Sequence, residues 1–467
     1  MINMNNLVYL INSPISFFSG KAEGEETTNP PLGMLYLGAV LEEADFEVRF
    51  FDVTAQNIKL EQMLSYIERD RPFMVGISSL TPGIRSAVLL AKEIKKRFPE
   101  ITIAIGGPHF SADPDLIKRF PYFDFGITGE AEITLPEITK KISKGKKIRG
   151  VIKGEIVQDL DKLPLPARHL INDHYNGENK RASLISSRGC PFRCLYCSRP
   201  VLGRSYRFRS PEKILDEMEL LHKDYSGRYI FQDDTFSLNR NNTLEFCKTV
   251  KERQLDINWM AMTRANCVDE EMIKKFADIG CSDLFFGVEA GNEWIRNEVI
   301  HKNVSNRAIE RAVSLCRKYG ITSNLFLMLG FPKDTKKTIE DTVRFGRNVK
   351  ADMIGLHLTL PLPGADLFDI SLNDNKIDKD VIDDYIEGKL GEGFRESWPH
   401  YIPDGLTERY LQEAKLKAYR QFYLNPGWLF RRVKRNIKSL SCMKEDLNMI
   451  KTATQVLTVG KTDRSMS

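Results

Sequence analysis

The sequence predicts an α/β protein with two successive domains: an open, doubly wound parallel sheet, then a partial barrel of six βα units, followed by a helical tail. Three observations predict it. Short β-rich runs alternate with helix-period segments in two separate series, residues 145–180 interrupt that alternation, and helical, polar sequence takes over beyond residue 370.

The chain has 467 residues, which at roughly 150 per domain suits two large domains and a smaller tail. Hydrophobic residues at 42% and charged residues at 28% match a soluble globular protein. The 68 basic and 63 acidic residues leave +5, too little over this length to indicate a nucleic-acid partner. The opening MINMNNLVYLINSPI lacks a basic region ahead of a long apolar run. No later window approaches the ~18 uninterrupted apolar residues of a membrane span, so a cytoplasmic location is expected.

In the first series, residues 1–144, five β-rich runs appear: LVYLI at 7–11, EVRFFD at 47–52, FMVGIS at 73–78, ITIAIG at 101–106 and DFGI at 124–127. Apolar residues at helical spacing separate them, as in 87–97 and 131–143, which predicts helices on both faces of a parallel sheet with a flavodoxin-like strand order. Residues 145–180 hold short strand-like pieces and a proline-containing stretch and are read as a linker. The second series, residues 181–370, supplies six runs at 182–187, 228–232, 257–263, 283–288, 322–329 and 353–360, enough for a partial (β/α)6 barrel. Ser210-Pro211-Glu212 reads as a helix start, with serine capping and proline in the first turn. Residues 371–467 form the expected helical C-terminal region.

Of eight cysteines, Cys190, Cys194 and Cys197 fall within eight residues, and the other five share no ligand-like spacing. The cluster of three, in Ser187-Arg188-Gly189-Cys190-Pro191-Phe192-Arg193-Cys194-Leu195-Tyr196-Cys197, directly follows the first strand of the second series. Loops in that position carry function in parallel barrels. Three thiolates on one tight loop can ligate three corners of a cubane and leave one iron open to substrate or cofactor. A structural zinc knuckle is the alternative, but it needs a fourth ligand, and His169 and His174 lie outside the loop.

This C-x-x-x-C-x-x-C spacing, with Tyr196 before the last cysteine, resembles the radical S-adenosylmethionine superfamily. The resemblance implies a four-iron, four-sulfur (4Fe–4S) cluster on Cys190, Cys194 and Cys197. Its open iron would chelate S-adenosylmethionine, and its electron would generate a 5′-deoxyadenosyl radical. By the same resemblance Tyr196 lies near adenine, and Asp233 and Asp234 occupy the place where relatives bind the cofactor's amino group. Asp234 suits a helix-capping role as well. Glu289 in Gly287-Val288-Glu289 and Arg264 after the third strand would line the cofactor pocket, or form structural ion pairs.

The first domain resembles a cobalamin-binding domain, and the two in this order resemble the cobalamin-dependent radical S-adenosylmethionine family. The resemblance rests on Pro31 and Gly33 before the first helix, Ser78, Ser79 and Thr81 after strand three, Gly106, Gly107 and His109 after strand four, and Gly129 and Glu130 after strand five. Small residues would let backbone approach the corrin, and the hydroxyls could bond its polar groups. No histidine precedes His109 and the Asp-x-His-x-x-Gly motif is absent, which implies cobalamin without a lower histidine ligand. His109 would contact the cofactor or cap a turn.

The family implies a methyltransferase acting on an unactivated carbon through the deoxyadenosyl radical and methylcobalamin, with an external electron donor and a small-molecule or lipid-like substrate. A magnesium-protoporphyrin ester cyclase-like reaction without methyl transfer is the alternative within the family, and a noncatalytic cobalamin sensor the alternative outside it. In the tail, apolar Trp428, Leu429, Phe430, Val433, Ile437 and Leu440 interleave with Arg431, Arg432, Lys434, Arg435 and Lys438. Such a basic amphipathic segment, within 422–440, either touches an anionic membrane weakly, placing the protein at the membrane periphery, or packs its apolar stripe on the barrel.

Overall fold

A computed structural model describes residues 6–15, 17, 29–171, 175, 180–391 and 394–436. It divides into two compact units. The first comprises Met1–Phe192, Tyr196–Asp234 and Pro361–Pro399, and the second Arg193–Leu195, Thr235–Leu360 and His400–Ser467.

The first unit is built on six parallel strands: β1 (Leu7–Asn12), β2 (Glu47–Asp52), β3 (Met74–Ser78), β4 (Thr102–Gly106), β5 (Phe125–Thr128) and β6 (Gly150–Lys153), in the order β2-β1-β3-β4-β5-β6. The flavodoxin-like order expected from the sequence is the one observed. Burial follows position in the sheet. Central β1 and β3 are buried in every residue but the last, Asn12 and Ser78, whereas the edge β2 alternates buried with more exposed residues and the edge β6 has no buried residue. β6 lies within the residues read as a linker and pairs in register with β5, from Phe125↔Gly150 to Thr128↔Lys153. Its half-exposed GVIK gives a weak strand signal because an edge strand needs only one apolar face.

The same unit holds β7 (Ala182–Leu184), β8 (Ser187–Arg188), β9 (Arg207–Phe208) and β10 (Arg228–Phe231). β7 pairs parallel with β10, and the short β8 and β9 pair antiparallel. Between β9 and β10 the helix Pro211–Leu221 starts as expected, its Lys213 N–H donating to Ser210 Oγ at 3.4 Å.

In the second unit β11 (Asn258–Thr263), β12 (Cys281–Glu289), β13 (Thr322–Leu329) and β14 (Met353–Leu358) pair parallel in chain order. The intervening helices announce themselves by their ends. Asp269, Ser305 and Thr335 each accept a first-turn N–H, and Gly320 closes Asn306–Tyr319 with φ +78°. Trp259, fully buried, packs among Phe236, Phe246 and Phe276 at ring distances of 5.1–6.0 Å and donates its indole N–H to Ile279 O at 3.0 Å. All six barrel-series strands expected from the sequence are present and parallel within their units.

The C-terminal region is helical over Glu408–Tyr423 and Pro426–Asn436. Trp428 is buried, packs on Tyr423 at 5.1 Å and donates to Asp352 O at 2.8 Å, while Phe430 is 71% exposed. Ile437, Lys438 and Leu440 lie outside the described residues. Among the described residues no helix is long and apolar enough to cross a membrane.

Candidate functional site

In the first unit, the cysteine loop leaves β8 at Gly189, whose φ is +80°. An added Cβ there would lie 2.3 Å from Ser205 O, so a side chain is excluded by both conformation and space. Cys190 is buried, with its N–H on Gly203 O at 3.3 Å. Arg199 donates to Cys190 O at 3.0 Å and to Phe192 O at 3.2 Å, pinning two loop carbonyls with one guanidinium. Tyr196 and Cys197 are half-buried.

The two aspartates after β10 part company. Asp233 is 1% exposed and accepts from Ser186 N at 3.2 Å, from Ser186 Oγ at 2.7 Å and from Ser187 Oγ, all immediately ahead of the cysteine loop. Burial raises its pKa, and the hydrogen bonds from Ser187 and Ser186 oppose that rise. Asp234 is exposed.

A second feature of this unit escapes sequence reasoning. Arg188, two residues before Cys190, is buried against Glu132 at 2.8 Å and Glu130 at 3.3 Å, over the ring of Tyr36 at 5.0 Å. Arg207, opposite it in β9, reaches Glu130 at 2.7 Å. Two arginines in register on a two-residue hairpin are thus neutralised by two buried carboxylates from the turn after β5. Glu130 also accepts from Val157 N at 2.7 Å, so its carboxylate is committed within the protein.

The second unit surrounds Cys194, which is buried. Leu195 N–H donates to Ile300 O at 3.0 Å. Arg264, 5% exposed, brings Nη1 to 3.5 Å from Cys194 Sγ, donates from Nη2 to Lys302 O and reaches Asn266 Oδ1 at 3.4 Å through Nε. Glu289 is buried and accepts from Lys302 Nζ at 2.8 Å. Lys302 and Arg199 were not singled out from the sequence. A basic residue two positions after the last cysteine was the available signal for Arg199, and Lys302 offered none.

The donor set fits a cubane. Three thiols on a loop of tethered carbonyls can each bind a different iron and leave a fourth open. Among the described residues no group of three His, Cys, Asp or Glu is placed to hold a single metal ion.

At the carboxyl ends of the first sheet, Gly107 has φ +89°, and an added Cβ would lie 2.5 Å from Ser78 Oγ and 3.0 Å from Ser79 N. Ser79 Oγ donates to Leu80 O at 2.7 Å. Gly106 precedes the turn, Gly129 N–H donates to Ser111 Oγ at 3.0 Å, and Pro31 O accepts from Met34 N at 2.9 Å. Gly33 is exposed, with nothing within 4 Å of where a Cβ would stand. His109 is enclosed, its Nδ1 3.1 Å from Thr81 Oγ1, and its Nε2 lacks a hydrogen-bond partner among the described residues. Burial lowers its pKa to about 4, so the ring is neutral near pH 7. Small residues at the strand ends and an unsatisfied imidazole nitrogen suit the polar edge of a cobalamin.

Comparison with known proteins finds two family matches in succession along the chain. Residues 184–346 match the radical SAM superfamily model, and residues 26–139 the B12 binding domain model. An uncharacterised methyltransferase of Pyrococcus horikoshii is 28% identical over 431 residues, covering 87% of this chain and 90% of the relative. The anaerobic magnesium-protoporphyrin IX monomethyl ester cyclase of Rubrivivax gelatinosus is 26% identical over 427 residues, 86% and 75% respectively. Among solved structures, the radical S-adenosylmethionine methyltransferase TsrM from Kitasatospora setae, with cobalamin and a 4Fe–4S cluster bound, superposes with a TM-score of 0.68 at 18% identity, covering 91% of this chain and 90% of TsrM.

Proposed function

This chain belongs to the cobalamin-dependent radical S-adenosylmethionine enzymes, and from that premise we propose that it methylates an unactivated carbon of a small-molecule or lipid-like substrate. The reading is carried by a cubane-forming cysteine loop in a chain that also bears a cobalamin-type sheet with an unsatisfied His109 Nε2. The bound groups supply a hydrogen-abstracting radical and a transferable methyl group.

The chain's own residues hold and orient. Cys190, Cys194 and Cys197 hold the cluster. Tyr196 flanks the adenine, Asp234 offers a carboxylate to the methionyl amino group, and Glu289 and Arg264 line the cofactor pocket from within their own buried contacts. Asp233 anchors Ser186 and Ser187, fixing where the loop starts. Pro31, Gly33, Ser78, Ser79, Thr81, Gly106, Gly107, His109 and Gly129 form the cobalamin cradle, and Glu130 braces it through Arg188 and Arg207. An external donor supplies the electron. The exposed Phe430 beside Arg431 gives the tail a weak contact with anionic membrane.

Methyl transfer is preferred because the methyltransferase relative aligns over nearly its whole length. The cyclase relative supports a second reading, ring formation without methyl transfer. Anaerobic turnover of candidate substrates with S-adenosylmethionine carrying a deuterated methyl group separates them. A product bearing the label supports methylation; a modified product without it supports the cyclase reading.

A further inference from the structure

The second unit spends unusual backbone and charge on one side of Cys194. Arg264 is buried and its three donor nitrogens are individually engaged, by Cys194 Sγ, Lys302 O and Asn266 Oδ1. Lys302 is itself 4% exposed and locked by Glu289 at 2.8 Å. Room for that ion pair exists because residue 287 is glycine: a Cβ there would stand 2.5 Å from Glu289 Oε1 and 2.8 Å from Lys302 Nζ. Asn303 O accepts from Asn266 Nδ2 at 3.4 Å, closing the arrangement.

The backbone is strained at the same places. Glu289, His301 and Asn303 have φ of +65°, +59° and +55° without being glycine. Such conformations are unfavourable for residues other than glycine and persist where the surroundings hold them. Arg296, fully buried, donates to Ala290 O and Val304 O, both at 2.8 Å, and so staples the segment after β12 to the segment carrying Lys302. The outcome of all these constraints is one guanidinium edge held against one sulfur.

We propose that Arg264 sets the reduction potential of the cluster through its hydrogen bond to Cys194 Sγ, with Lys302 and Glu289 as positioning residues that hold the guanidinium there. The inference rests on the reading of Cys194 as a cluster ligand. Reduction adds one electron from the reductant, with no bond made or broken, and increases the negative charge on the cluster and its sulfurs. A cation donating to a ligand sulfur stabilises the reduced form more than the oxidised one and raises the potential. In a site walled from water the effect is weakly screened.

The test is a reductive titration of the reconstituted full-length protein without S-adenosylmethionine, followed by electron paramagnetic resonance. Leaving the cofactor out removes any contact it makes with Arg264. Arg264→Gln should shift the midpoint to more negative potential, Arg264→Lys should shift it less, and Arg311→Gln, an exposed charge in the same unit, should leave it unchanged. An Arg264→Gln midpoint equal to the wild type overturns the proposal. If the glutamine variant holds no cluster, the lysine variant decides on the same criterion. Loss of the cluster from both variants, with the wild type intact, also overturns it and makes Arg264 an assembly residue. Failure of the wild type to form a cluster instead sinks the reading of the cysteine loop.

Discussion

His109 is where a single side chain makes the most exposed claim. Its ring is enclosed and its pKa is lowered by burial to about 4, against an ordinary value of 6.5. The unfolded chain binds a proton near pH 6.5 that the folded chain refuses until about pH 4, so stability is full above pH 6.5 and falls as the pH drops through that window. The shift corresponds to about 3 kcal/mol. Urea unfolding of cobalamin-free protein at about pH 7 and about pH 4.5 should show a loss that is smaller in His109→Gln. Equal losses would mean the imidazole is not held neutral. The first βα loop lacks the Asp-x-His-x-x-Gly motif and no histidine precedes His109, so a bound cobalamin would carry no lower histidine ligand. Protein grown on nitrogen-labelled histidine should therefore give a cob(II)alamin resonance without splitting from that nitrogen; clear splitting would count against it. The absence of earlier histidines was readable in the sequence, but the unsatisfied Nε2 was not, because burial is a property of the assembled sheet.

The element that matters most is the β8–β9 hairpin, from which the cysteine loop springs. Two arginines and two glutamates are buried together there at equal charge, so each carboxylate is indispensable to the other three groups. Glu130→Gln should destabilise the first unit by about 3–5 kcal/mol, since it leaves a buried guanidinium uncompensated. Thermal unfolding of the cofactor-free protein measures this, and adding Arg207→Met should recover part of the loss. A single variant as stable as the wild type would show that the network is not coupled as drawn. Strand runs and helix caps were legible because they depend on local periodicity and on Ser, Asp and Thr at set offsets. The network was not legible, because Glu130 and Arg188 are 58 residues apart and only the fold brings them together. From sequence, Glu130 read as part of a glycine-rich cofactor turn. β6 was missed for a related reason, since an edge strand writes only half a pattern.

At the scale of the whole molecule, the order of the two domains was legible and the division into units was not. The sequence suggests boundaries at changes of periodicity, whereas Pro361–Pro399 returns to the first unit through tertiary contacts such as Tyr385 Oη donating to Pro82 O at 2.7 Å. The tail divides the same way. Trp428 and Arg432 are taken into the protein, leaving Phe430 to meet any surface. Flotation with anionic liposomes should recover more full-length protein than a folded 1–426 truncation, and the difference should shrink with salt. Equal recovery would reject tail-mediated contact. The account as a whole stands on the cysteine loop, and cleavage of S-adenosylmethionine tests it most directly. Anaerobically reconstituted and reduced wild-type protein should form 5′-deoxyadenosine, and the Cys190→Ala/Cys194→Ala/Cys197→Ala variant should contain no 4Fe–4S cluster and form none. An intact, cofactor-responsive cluster in that variant, with 5′-deoxyadenosine still produced, would contradict the assignment.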